Sequence, residues 1–231
     1  MYGRKAIGTV AYMGGIPTVL EVFCWSWGQM IQYNSEVLCD DKSYIHYDRA
    51  TISDHAPSRN SLVSNFIGDW LIQLDTDHIF DADTIVRMVR TANENNLDVL
   101  SGLYQYKKPP HLPVLFQWMD VGAKEKGLQP LAHWPKEAKI LQIGSAGGGC
   151  LFVRRKVFDA IANRYSEGAF DKIFPYSEDH SFFYRCKELG VKCYAAMNIH
   201  YNHIKIEPVA IEDLDISELS VSEEFAVNGF K

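Results

Sequence analysis

The chain of 231 residues lacks the marks of several large protein classes. It has no basic run and no Arg/Lys stripe with interleaved aromatics, and its formal net charge is −6. General affinity for nucleic acid is therefore not expected. No apolar stretch reaches the roughly 20 residues that span a bilayer, so no transmembrane segment is expected either. The N-terminus has no charged region followed by an apolar one, which argues against a secretory leader. The five cysteines, Cys24, Cys39, Cys150, Cys186 and Cys193, form no CxxC pair. They read as reduced thiols of a cytoplasmic protein rather than a disulfide frame. No HExxH, Walker or GxGxxG pattern occurs, which removes zinc proteases, P-loop enzymes and dinucleotide-binding enzymes of the usual kind. Internal repeats and low-complexity segments are also absent.

What remains is a 47% hydrophobic chain with ample material for one core. Its most informative stretch is Trp70-Leu71-Ile72-Gln73-Leu74-Asp75-Thr76-Asp77-His78. The apolar run reads as a buried strand that ends in two carboxylates. Residues two apart on a strand point the same way, which predicts that Asp75 and Asp77 emerge side by side. Two buried negative charges need a cation or donors. Open α/β sheets bind ligands beyond the carboxyl ends of their strands. The stretch thus predicts a divalent ion and a phosphorylated ligand; the competing reading is a helix cap or turn. An EF-hand is excluded, because Ile79 and Phe80 stand where that loop needs an oxygen ligand and a glycine.

Strand and helix patterns alternate along the chain. Strands are expected over residues 5–12, 43–47, 70–74, 97–103 and 150–153, with a last strand region over 193–203. Helices are expected over 17–33, 57–67, 83–95, 156–163 and 177–189. This alternation predicts an α/β fold with a largely parallel sheet flanked by helices. Residues 107–142 read as irregular, partly hairpin and exposed to a ligand. The first 205 residues form the expected domain, and 206–231 an acidic tail.

Further features carry chemistry. Glu178-Asp179 follows Ser177, a natural N-cap, so the pair belongs at a helix N-terminus where the dipole favours ionised acids. Ordinary first-turn acids give the same pattern; a second carboxylate centre, however, is what a metal-dependent transfer needs to accept a proton. Gly147-Gly148-Gly149 permits close backbone approach, as a simple flexible turn also would. His200 and His203, three apart, face opposite sides of a regular strand, so at most one joins a single metal site. An Asp/His donor set suits Mn²⁺ or Mg²⁺ better than structural zinc. Arg59, near a helix start, aims towards the strand ends; a surface arginine is the alternative.

The ordered set of these motifs resembles nucleotide-sugar-dependent glycosyltransferases of the GT-A fold, of the family 2-like kind. It runs from Arg59-Asn60 through Asp75-Thr76-Asp77, Asp98 to Tyr104, Gly147 to Arg155, Ser177-Glu178-Asp179 with Phe182, and His203. The resemblance implies a single GT-A domain with a small antiparallel or irregular acceptor-side region. It implies that Asp75 and Asp77 are the DxD pair, binding the cation and the donor, and that His203 is the later metal or diphosphate ligand. Arg59, Tyr12, Thr76, Gly148 and Gly149 fall at donor-binding positions. Asp179 matches the general base of inverting members, with Glu178 beside it. A nucleoside-diphosphate sugar and a hydroxyl acceptor would be the partners. Retaining transfer, a sugar nucleotidyltransferase and an inactive nucleotide-sugar binder are the alternatives. The base-naming signature after the first strand is missing, so neither donor nor acceptor is identified.

Overall fold

The computed structural model describes residues 4–14, 21–120 and 126–204. Its centre is a seven-stranded sheet in the order β2, β1, β3, β10, β5, β11, β8. These strands are β1 (Lys5–Met13), β2 (Ser43–Ala50), β3 (Trp70–Leu74), β5 (Val99–Leu103), β8 (Ile140–Ile143), β10 (Cys150–Arg154) and β11 (Cys193–His200). β1 pairs in parallel with β2 and β3, and β11 with β5, while β10 and β8 run antiparallel to their neighbours.

Alternation along β3 explains the layers. Trp70, Ile72 and Leu74 join the core on one face with Phe23 and Met30 of α1 (Glu21–Leu38) and Met88 of α3 (Thr84–Glu94). Leu71 faces the other core, built with Leu62 of α2 (His55–Asn65), Phe158 of α4 (Arg155–Arg164) and Phe182 of α5 (Glu178–Glu188). The sheet is therefore covered on both sides, which is why β3 is buried at every position.

The expected strand at 70–74 and the helices at 83–95 and 177–189 coincide with observed elements to within a residue or two. The first helix runs on to Leu38, past the expected end at residue 33; its expected start, the acidic tail and Gly15 lie outside the described residues. The segment expected to be irregular contains the hairpin of β6 (Leu115–Asp120) and β7 (Lys126–Pro130), with β9 (Ser145–Ala146) beside it. It also supplies β8, an edge strand of the main sheet that the sequence reading did not anticipate. Two short strands, β4 (His78–Ile79) and β12 (Asn202–His203), form a separate antiparallel pair. Among the described residues no helix is long and apolar enough to cross a membrane. All five cysteines are unpaired; Cys150, Cys186 and Cys193 are buried, whereas Cys24 is exposed and Cys39 half-buried.

Candidate cation and donor site

The chain leaves β3 through a turn at Thr76 and Asp77. Both carboxylates line one cleft, but the turn gives them different partners. Asp75 turns towards α2, where its Oδ1 accepts from Arg59 Nη2 at 3.0 Å. Asp77 turns towards the loop after β5, where its Oδ2 accepts from Lys107 Nζ at 2.6 Å.

Arg59 is 1% exposed. Its Nη1 donates to Gln73 Oε1 at 3.1 Å and to the Gly148 carbonyl at 3.3 Å. Its Nε lies 3.0 Å from Asp179 Oδ1. One guanidinium thus joins the acid after β3 to the acid at the start of α5. Burial works against its charge, but Asp179 and Asp75 outweigh that and hold its pKa above the ordinary arginine value. Arg59 was expected at the nucleotide; the structure instead turns its donors inward. Asp179 Oδ2 accepts from the Gly148 N–H at 3.1 Å. Burial pushes the Asp179 carboxyl up to about 6, with Arg59 pulling it down and Glu178 and Asp75 adding to the rise.

The glycine run is packed by this network. A Cβ at Gly148 would lie 2.2 Å from Arg59 Nη2 and 2.6 Å from Asp179 Oδ1. One at Gly147 would lie 1.8 Å from the Tyr104 hydroxyl, and one at Gly149 would lie 3.0 Å from His78. The close approach foreseen for a ligand is taken by the chain's own side chains.

A second cluster gathers around Asp77. β4 pairs with β12 so that His203 stands opposite His78, their ring centroids 4.1 Å apart. Ligand atoms of Asp77, His78 and His203 all lie within 4.8 Å of one another. His203 Nδ1 donates to the Gln105 carbonyl at 2.8 Å, which orients the ring and leaves Nε2 for a ligand. Burial, with His78 nearby, holds the His203 pKa below its ordinary value and so favours the neutral, metal-binding form. His78 is fully buried; its Nδ1 is paired with Asp77 Oδ1 at 2.9 Å, while Nε2 has no hydrogen-bond partner among the described residues. An orphaned buried imidazole nitrogen is costly, and a cation would satisfy it. The Asp77 carboxyl is held well below the usual carboxylate range; burial opposes this, and His78 and Lys107 overcome it. The carboxylate and two imidazoles therefore fit a divalent ion of the Mn²⁺ type.

His78 was not among the expected ligands. The signal for it lay in His78-Ile79-Phe80, where inward, outward and inward positions alternate: His78 and Phe80 are buried and Ile79 is exposed. Asp75, expected as a ligand, lies outside this cluster because Arg59 holds it. His200 donates through Nε2 to the Met197 carbonyl at 2.7 Å and takes no part in the cluster, in keeping with the spacing argument.

Asp77 sits where two clefts meet. One, of about 230 Å³, is lined by Met13, Ser53, His55, Asp75 and Thr76. The other, of about 530 Å³, is lined by Tyr106, Lys107, Lys108, Leu112 and His203. Tyr12 packs edge-on against Phe23 and Trp27 at 5.4 and 5.1 Å, so Met13 rather than Tyr12 faces the first cleft. Ser177 caps α5, its hydroxyl accepting from His180 N at 3.4 Å. Glu178 Oε1 lies 3.9 Å from His55 Nδ1.

No protein-family model matches the chain, and no curated protein matches it in sequence. Solved structures do match it in fold. GalNAc-T7, solved with UDP, GalNAc and Mn²⁺, aligns with a TM-score of 0.58 at 12% identity, over 90% of this chain and 45% of that one. A197 from STIV aligns with a TM-score of 0.50 at 18% identity, over 86% of each chain. The fold is GT-A-like.

Proposed function

We propose that the chain is a metal-dependent glycosyltransferase, family 2-like in its order of motifs, that moves a sugar from a nucleoside-diphosphate donor to an acceptor hydroxyl. The observation that carries this reading is the buried His78 beside Asp77 and His203, its Nε2 without a hydrogen-bond partner among the described residues, at the junction of two clefts. Asp77, His78 and His203 would hold Mn²⁺ or Mg²⁺. A cation there supplies the positive charge that makes a nucleoside diphosphate a competent leaving group. The nucleoside end occupies the cleft of about 230 Å³, where Asp75 and Thr76 meet it. Arg59 acts by positioning Asp75 and Asp179 rather than by touching the donor.

Asp179 accepts the acceptor's proton as the hydroxyl oxygen bonds to the anomeric carbon and the bond from that carbon to the diphosphate breaks. Its raised pKa, about 6, gives it real basicity near neutrality. Glu178 adds negative charge beside it. Inversion at the sugar carbon follows from a single displacement. One observation favours retention as a second reading: Asp179 is held by the Arg59 guanidinium and the Gly148 N–H, which limits its reach to an acceptor proton.

The test is nucleoside diphosphate release from a panel of nucleotide sugars with Mn²⁺, followed by anomeric NMR of the early product. Asp77→Asn and Asp179→Asn should each abolish release, and only the first should weaken metal-dependent donor binding. Full turnover in both variants would overturn the assignment.

A further inference from the structure

Lys107 occupies one oxygen of the carboxylate that faces the candidate cation cluster. Its Nζ is 2.6 Å from Asp77 Oδ2, while Asp77 Oδ1 faces His78. A divalent ion gathering Asp77, His78 and His203 and an ammonium on the same carboxylate are like charges in contact, and they oppose each other. The loop that carries Lys107 is pinned at its base. Val114 N donates to the Tyr104 carbonyl and Tyr106 N to the Leu112 carbonyl, both at 2.9 Å, and Gln105 bridges to Pro113. The same loop orients His203 through the Gln105 carbonyl. The backbone therefore has no need to move. The lysine side chain is about half exposed, and its flexible four-carbon stem can swing alone.

The place it would swing to is also visible. Lys107 lines the cleft of about 530 Å³ together with Lys108, and that cleft opens from Asp77 and His203. Two ammonium groups beside a cation cluster suit an anionic ligand.

We propose that Lys107 is an internal counter-cation: it holds the Asp77 carboxylate until a divalent ion displaces it, and the freed ammonium then meets the diphosphate of the donor in the adjoining cleft. This rests on the glycosyltransferase reading for the identity of the anion. The consequence is positive coupling. A cation arriving alone must break the Lys107–Asp77 pair, whereas a cation arriving with a nucleoside diphosphate gives the lysine a new partner, so each ligand tightens the other. A partly exposed pair of this kind is weak, so the effect on cation affinity is several-fold rather than many orders of magnitude.

Free Mn²⁺ followed by electron paramagnetic resonance, with the full chain and with and without UDP, tests this directly. Lys107→Gln should bind Mn²⁺ alone about fivefold more tightly than the unmodified chain, the upper range for losing such a pair. UDP should tighten Mn²⁺ binding less in that variant. Lys107→Arg keeps the charge and should leave cation-only affinity near the starting value, as should Lys108→Gln, which lacks the Asp77 contact. Lys107→Gln binding Mn²⁺ no more tightly, or Lys108→Gln gaining as much, overturns the inference while leaving the metal site standing. Absence of Mn²⁺ binding in every form, UDP included, overturns both this inference and the metal-dependent reading beneath it.

Discussion

Arg59 lies between Asp75 and Asp179 and meets both: Nη2 donates to Asp75 Oδ1 at 3.0 Å, and Nε stands 3.0 Å from Asp179 Oδ1. The two acids come from the end of β3 and the start of α5, so this guanidinium sets the distance between two parts of the site. Arg59→Met strands two carboxylates. It should cost about 3 kcal/mol, at the low end for one partner of a buried ion pair because both acids keep some solvent contact. For a domain of this size that is a fall in melting temperature of about 6–12 °C. Calorimetry of the variant checks it. An unchanged melting temperature would show that the network adds little.

Gly148 has no room for a side chain. Its Cβ would sit 2.2 Å from Arg59 Nη2 and 2.6 Å from Asp179 Oδ1. Gly148→Ala should therefore pry Arg59 from Asp179 and cut donor turnover at least about tenfold, a shift that reaction geometry readily produces. Gly190→Ala provides a comparison, since its Cβ would meet nothing within 4 Å. That change should touch stability through its positive φ of 70° but not turnover.

The pH dependence follows from Asp179. Burial raises its pKa to about 6, against an ordinary value near 4. The folded state therefore keeps this proton over a window in which the unfolded chain has lost it. The group's contribution to stability is fully present below pH of about 4 and is lost as the pH rises through about 6. Activity should move the other way, because the base must be ionised: turnover rises with pH through about 6. Denaturant midpoints and initial rates across pH 4–8 read the two trends. Asp179→Asn should flatten the stability trend and remove the activity.

How much of this was legible beforehand differs from element to element. β3 and α5 announce themselves, the first by a largely apolar run and the second by Ser177 and the acids behind it. Arg59 does not. A helical arginine normally reads as surface, and only the arrival of Asp75 and Asp179 from remote segments makes its burial tolerable. The partnership of His78 with His203 depends on two-residue strands, too short to show a period. β8 escaped for a related reason: four residues, followed at once by Gly144, give little pattern to read. The DxD spacing was visible, but the turn that sends its two acids to different partners was not.

His78 separates metal binding from folding. Its Nε2 has no partner among the described residues, and its Nδ1 meets only Asp77, a partly exposed carboxylate that also holds Lys107, so His78→Leu should leave the stability of the metal-free protein within about 1 kcal/mol of the starting value. Its Mn²⁺-dependent rise in melting temperature should nonetheless vanish, since a ligand stabilises only what it binds. Thermal denaturation with and without Mn²⁺ reports both quantities. A full Mn²⁺ response in His78→Leu would remove this residue from the ligand set.

The most direct measurement is anomalous diffraction at the manganese edge from crystals of the full chain grown with Mn²⁺ and UDP. The expected result is a single strong peak bounded by Asp77, His78 and His203, with the diphosphate beside Lys107. A peak held by other residues, or density for UDP with no manganese signal, would contradict it.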